Sequence, residues 1–193
     1  MARPREFDEE KVLWAAVECF WEHGYEATST RDLAGRMGLT NASLYNAFGD
    51  KKSLYRQALD RYAAISFSDR VRRFEGLPPR AAIEGFFREI IDRSLKDRNR
   101  RGCMLVNSAL EVAPHDRDLK IAVSDFLHRA EDFFRRRAEE GQADGTIGRS
   151  QTAEDIGRHL LGVLLGMRVV ARTRPERALL EGMLRPALAI LDV

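Results

Sequence analysis

Cysteine, proline and long apolar runs are all scarce in this chain. Two cysteines among 193 residues, Cys19 and Cys103, cannot build a disulfide framework. They point to a reduced, cytoplasmic setting. Six prolines and 14 glycines exclude a collagen-like or low-complexity chain. The longest apolar stretch, around Gly162–Met167, falls far short of the roughly 20 residues that a membrane span requires. Met1-Ala2-Arg3-Pro4-Arg5-Glu6 is charged and has no apolar core, so it is not read as a signal peptide. The four histidines, His23, His115, His128 and His159, show no metal-ligand spacing. There is no glycine-rich phosphate loop, and the one conceivable nucleophile–base pair, Cys103 with His115, has nothing to position it. No enzyme, metal or cofactor is expected.

What is present is a foldable, charged, helical pattern. The chain is 44% hydrophobic and 32% charged, too apolar to be disordered. Its net charge is only +2, but Lys accounts for five of its 32 basic residues and the rest are Arg. Acids crowd Glu6–Glu26. From Thr28 to Arg56, five basic residues face only Asp32 and Asp50, and one positive face is all that attraction to DNA requires.

Asp8 reads as a helix cap, followed by a stripe of Val12, Leu13, Ala16, Val17 and Phe20, with Gly24 as the stop. Ser29-x-x-Asp32 reads as a capping box for a short helix that Gly38 closes. A third helix runs from near Thr40 to Phe48. A long helix then runs from Lys51 to about Phe74, and Gly76-Leu77-Pro78-Pro79 breaks it. Further helices are expected at about Arg80–Leu95, Met104–Val112, Asp118–Glu140, Thr152–Thr173 and Pro175–Leu191, with Pro186 kinking or ending the last early. The class is all-α. Residues 1–50 form a three-helix helix-turn-helix domain, and the long helix joins it to a C-terminal helical domain over 51–193.

The two short helices joined at Gly38-Leu39 match a helix-turn-helix. Leu33, Leu39 and Leu44 would face inward. Thr40, Asn41, Ser43, Tyr45 and Asn46 would face outward, short polar side chains suited to a major groove. The pattern also fits an ordinary helical hairpin. The run Gly24-Tyr25-x-x-Thr28-Ser29-x-Arg31-Asp32-Leu33-Ala34 then continues as Gly38-Leu39-Thr40-x-x-Ser43-Leu44-Tyr45-x-x-Phe48-x-x-Lys51-x-x-Leu54. This resembles the N-terminal DNA-binding domain of TetR-family transcriptional regulators. The resemblance implies that Tyr45 and Lys51 contact backbone phosphates, Lys51 at a helix N-terminus. It implies Thr30 and Thr40 as phosphate anchors, and Asn41, Ala42, Ser43 and Asn46 facing bases. It places Arg31 within reach of a guanine edge, and Arg3 and Arg5 in a basic arm over the phosphates or the minor groove. Ala47 departs from the family's usual His or Tyr and removes a phosphate contact.

The resemblance also implies a homodimer and a small-molecule effector, with the C-terminal domain binding both. The helix over Thr152–Thr173 is apolar around more than one face. With the last helix, it would supply a subunit interface through Leu160, Leu161, Leu164, Leu165, Leu180, Leu184 and Leu188. Candidate pocket residues are Phe86, Phe87, Met104, Asn107, Phe126, Phe133 and His159. Cys103 follows Arg98, Arg100 and Arg101 near a helix start, features that favour thiolate, and is a candidate redox or electrophile sensor. The plainer reading is a small buried side chain beginning a helix. The partners so implied are double-stranded DNA with a pseudo-palindromic operator, the effector and a second copy of the chain, with no membrane. The alternative is a helical dimerisation or adaptor protein with a vestigial helix-turn-helix.

Overall fold

A computed structural model describes residues 8–193. Arg3 and Arg5 lie outside the described residues. Among the described residues the chain is helical throughout, without strands. Helices α1 (Glu9–His23), α2 (Thr30–Met37) and α3 (Asn41–Phe48) precede α4 (Lys51–Ala63). A single π turn (Ala64–Ser68) carries α4 without a break into α5 (Asp69–Glu75). Helices α6 (Pro79–Lys96), α7 (Met104–Glu111), α8 (Arg117–Asp144), α9 (Ala153–Thr173) and α10 (Arg177–Ala189) follow. No helix among the described residues is long and apolar enough to cross a membrane.

The starts obey local chemistry. Asp8, Ser29, Thr40, Asp50, Asp116 and Thr152 each accept a backbone N–H of the first turn of the helix they precede. Ser29 and Asp32 complete the reciprocal capping box. Pro79 opens α6, where its missing N–H costs nothing.

Three expectations need correction. The long helix carries a π turn, in which Asp69 N–H reaches Ala64 O, so the side chains beyond it are rotated from a plain α-helical register. Gly141, expected to begin a loop, lies inside α8, where an added Cβ would stand 2.5 Å from Ile147 Cδ1. The helix keeps a glycine there because Ile147 folds back onto it. Pro186 neither ends nor shortens α10, which continues to Ala189. Pro186 is exposed, so water can take the carbonyl that it leaves unpaired one turn earlier.

One core runs through the molecule. In the C-terminal part it is aromatic. Phe87 stacks on Phe134 at 5.2 Å, and Phe86 lies 5.3 Å from Phe133. Helices α8 and α9 pack along each other more extensively than any other pair. Gly157 permits this, since a Cβ there would lie 3.1 Å from Glu131 O. Gly157→Val should therefore destabilise the fold by about 1–3 kcal/mol through overpacking. The thermal midpoint, followed by circular dichroism, should drop by several degrees, and an unchanged midpoint would refute the close-packing argument.

Candidate nucleic-acid interface

The turn between α2 and α3 depends on Gly38, whose φ of 66° is left-handed and whose N–H caps α2 at Ala34 and Gly35. Leu33, Ala34 and Met37 of α2, with Leu44 and Phe48 of α3, are buried together with Ala16, Val17 and Phe20 of α1. That inner face decides the outer one. Asn41, Ala42, Tyr45 and Asn46 are exposed on α3, and Tyr45 keeps 47% of its surface in water. An aromatic side chain left so open on a polar helix face is suited to a ligand surface. Ala47 is half-buried and packs on the core.

The predicted residues do not all stand free. The Thr40 hydroxyl donates to Ser43 Oγ at 2.9 Å and accepts the Ser43 N–H at 3.1 Å. This closed pair opens α3, so Thr40 is first a cap; Ser43 is half-buried. Thr30 is half-buried as the first residue of α2, with Ser29 as its cap. Arg31 is exposed beside Asp32. Lys51 opens α4, with its ammonium 4.4 Å above the Tyr25 ring.

Sequence reasoning missed how this unit is fastened to the rest. Glu111, the last residue of α7, accepts the Glu26 N–H at 3.0 Å. Its carboxylate fills the space beside Gly24, where an added Cβ would stand 2.8 Å away. Lys52 Nζ meets Asp116 Oδ2 at 2.8 Å and Asp118 Oδ2 at 2.7 Å. The hydrogen bonds that its ammonium donates to both acids hold the Lys52 pKa well above its ordinary value. Tyr55 and Ser108 share a buried 2.7 Å hydrogen bond. The Ser108 hydroxyl already donates to Met104 O at 2.6 Å, which makes Tyr55 the donor. Asp116 also caps α8, and its partner Lys52 lies 64 positions earlier, beyond any local pattern.

The other candidate residues are dispersed. Phe86 and Phe126 border a space of only about 20 Å³, room for little more than a water molecule. Phe87, Phe133 and Met104 are buried in the core. Asn107 is tied to Arg101 O at 2.9 Å and to Arg172 at 3.2 Å. His159 is exposed in the single chain, because α9 turns Ile156, Leu160 and Leu164 inward. Leu160, Leu164, Leu180 and Leu184, expected at a subunit interface, are buried within the single chain. Leu161, Leu165 and Leu188 remain half-buried. Helix α9 fills its own core first, and only the residues offset from that stripe stay open to a partner. Cys103 is buried at the N-cap of α7.

A three-helix unit with a left-handed turn glycine and an open polar face on its last helix is a helix-turn-helix DNA-binding unit. The model for bacterial regulatory proteins of the tetR family matches residues 12–58, and the tetracyclin repressor-like C-terminal domain matches 79–185. An uncharacterized HTH-type transcriptional regulator, YezE of Bacillus subtilis, is 30% identical over the full length of both chains. The HTH-type transcriptional repressor ComR of Escherichia coli is 28% identical over 96% of this chain and 88% of its own. A cysteine-substituted CifR, a TetR-family regulator complexed with 26-bp operator DNA, is 33% identical, with a TM-score of 0.87 over 97% of this chain and 98% of that one. The chain belongs to the TetR family of bacterial regulators. It is a DNA-binding transcriptional regulator and not an enzyme.

The cap and clip carboxylates give the molecule an acid limit. Hydrogen bonds from Ser29, from Ser53 and from Lys52 hold the Asp32, Asp50 and Asp116 carboxyls, respectively, below the usual range. A carboxyl lowered on folding contributes stability above its unfolded pKa of about 3.9 and loses it as pH falls through the folded value. Asp116→Asn should therefore lower the thermal midpoint at pH 7. The gap between variant and parent should close as the pH is lowered through about 4 and below. A gap independent of pH would show that the charge of Asp116 is immaterial.

Proposed function

We propose that two copies of this chain bind a pseudo-palindromic operator through α3 and release it when a small-molecule effector binds the C-terminal part. The observation that carries this reading is the open polar face of α3, with Tyr45 exposed and Lys51 at the adjacent start of α4. Asn41, Ala42 and Asn46 meet the bases. Tyr45, Lys51, Arg31, Thr30 and the arm residues Arg3 and Arg5 meet phosphates or groove edges. Thr40 and Ser43 contribute by fixing the start of the recognition helix. In CifR the partner is a 26-bp operator, long enough for two half-sites about 34 Å apart.

The second copy is best accommodated on α9 and α10. Gly162 has nothing within 4 Å, Val169 is 45% exposed, and Leu161, Leu165 and Leu188 are half-buried. These form a flat, small-residue and apolar strip beside the filled core. The clip from α7 to α1 and α4 then couples effector to operator. A shift of α7 moves Glu111 and Ser108 and takes the DNA-binding unit with it, so the effector biases two dimer geometries through its differential affinity.

A second reading rests on Cys103, which borders the 20 Å³ space together with the buried Arg70 and Arg168. Chemical modification of this thiol would wedge the start of α7 and act through the same clip. If Cys103→Ser leaves the response of operator binding to an alkylating electrophile unaltered, this reading is wrong.

Selection from a randomised duplex pool should enrich an inverted repeat, and enrichment of no sequence would contradict the proposal. On the selected site, Lys51→Met should weaken all duplexes about equally and reduce the salt slope by about 1. Asn46→Ala should cost about 1–3 kcal/mol on the preferred sequence alone.

A further inference from the structure

A cleft of about 370 Å³ separates α1 from the C-terminal helices, a volume within the range of small-molecule sites. Trp14 and Trp21 of α1 form one side. The end of α6, the loop after it and Arg168 of α9 form the other, with Tyr62 between them.

The cleft is unbalanced in charge. Arg93, Lys96, Arg100, Arg101 and Arg168 line it, against Asp97 alone. Asp97 is already taken, since its carboxylate accepts the Arg101 backbone N–H at 2.7 Å and Arg101 Nε at 3.4 Å. Among the described residues no carboxylate lies within 4 Å of Lys96, Arg100 or Arg168. Arg168 is the decisive case. It is only 7% exposed, and its hydrogen bond to Ser94 Oγ is a long one, 3.3 Å. Its other neighbours are the Cys103 thiol and the Tyr62 hydroxyl, so no carboxylate closes on this buried guanidinium and an anion in the cleft can serve as its counter-charge.

Two further features fall in the same place. Trp21 carries the Arg101 guanidinium 4.0 Å over its ring, and its buried Nε1 has no hydrogen-bond partner. The wall itself is unusual in its backbone. Arg100, with φ of 52°, is the one non-glycine residue with positive φ among the described residues, and the π turn supplies Ile65 and Ser66. Both are departures that cluster at ligand sites.

We infer that this cleft binds an organic carboxylate with a flat apolar body, its carboxylate on Arg168 and Arg100 and its body between the tryptophans and Ile65. The inference deepens the effector-controlled reading above by naming the chemistry of the effector. Because the site spans α1 and α9, occupancy would act on the DNA-binding unit directly.

Trp14 and Trp21 are the only tryptophans in the chain, and both line the cleft, so intrinsic fluorescence reads occupancy. The full-length protein is titrated with 4-nitrobenzoate and with 4-nitrobenzyl alcohol, which has the same shape without the charge. Free tryptophan in parallel corrects for absorption. The carboxylate should quench saturably and bind at least about tenfold more tightly than the alcohol. Arg168→Gln should remove that advantage and leave the alcohol unchanged. Arg100→Gly, which relieves the positive φ and so keeps the fold, should reduce it in the same direction. Equal affinities for the two probes, no saturation by the carboxylate, or preserved preference in both variants would overturn the inference. This titration contains no DNA, so its failure leaves the repressor reading standing, and a failed operator selection leaves the titration intact.

Discussion

Helix α4 has two neighbours that compete for the same residues, α1 on one side and α7 on another, and Tyr55 serves both. Its ring packs 4.8 Å from Phe20 of α1 and 4.7 Å from Tyr25. Its hydroxyl reaches across to Ser108 of α7. Burial pushes the Tyr55 pKa up to about 12, so the hydroxyl stays a neutral donor. Because one rigid side chain is fixed from both directions, the DNA-binding helices cannot turn without disturbing α7. The Glu111 and Lys52 contacts repeat that fastening at the surface, where water weakens them. The buried tyrosine therefore carries the coupling, and the ion pairs set its register.

Most of the many arginines form exposed pairs, often one turn apart, such as Arg135 with Glu139 and Arg177 with Glu181. Water screens such pairs, so they add little to stability. Arg70 and Arg168 differ, because they are 3% and 7% exposed. Arg70 has Glu89 at 3.1 Å and the Phe86 ring 5.2 Å away, yet its Nη2 has no partner. Burial, with repulsion from Arg168, draws its pKa down to about 10. Two like charges held close in an apolar interior are not what stability alone would choose. They surround Cys103 and the space beside it, in the part of the molecule proposed to sense effectors.

The recognition unit was largely legible because its determinants are local. Caps at Asp8, Ser29, Thr40 and Asp50 name helix starts, Gly38 names the turn, and a 3–4 residue apolar spacing names the inner face. The C-terminal part was legible as helices and illegible as surfaces. Leu160 and Leu161 look alike in the sequence, but one is buried in the chain and the other half-open. An apolar residue carries no mark of which partner covers it. His159, one position before Leu160, faces water for the same reason.

Sequence by itself determined that this is an all-helical regulator with a helix-turn-helix near its start, because capping, turn chemistry and helical periodicity act within a few residues of one another. Tertiary structure alone decided that Glu111, Ser108 and Asp116 grip the DNA-binding unit, that Thr40 and Ser43 bond each other, and that Trp21 and Arg168 face one cleft. Those contacts join residues dozens of positions apart or depend on rotamers chosen by packing. Their energies exist only once the chain has closed on itself.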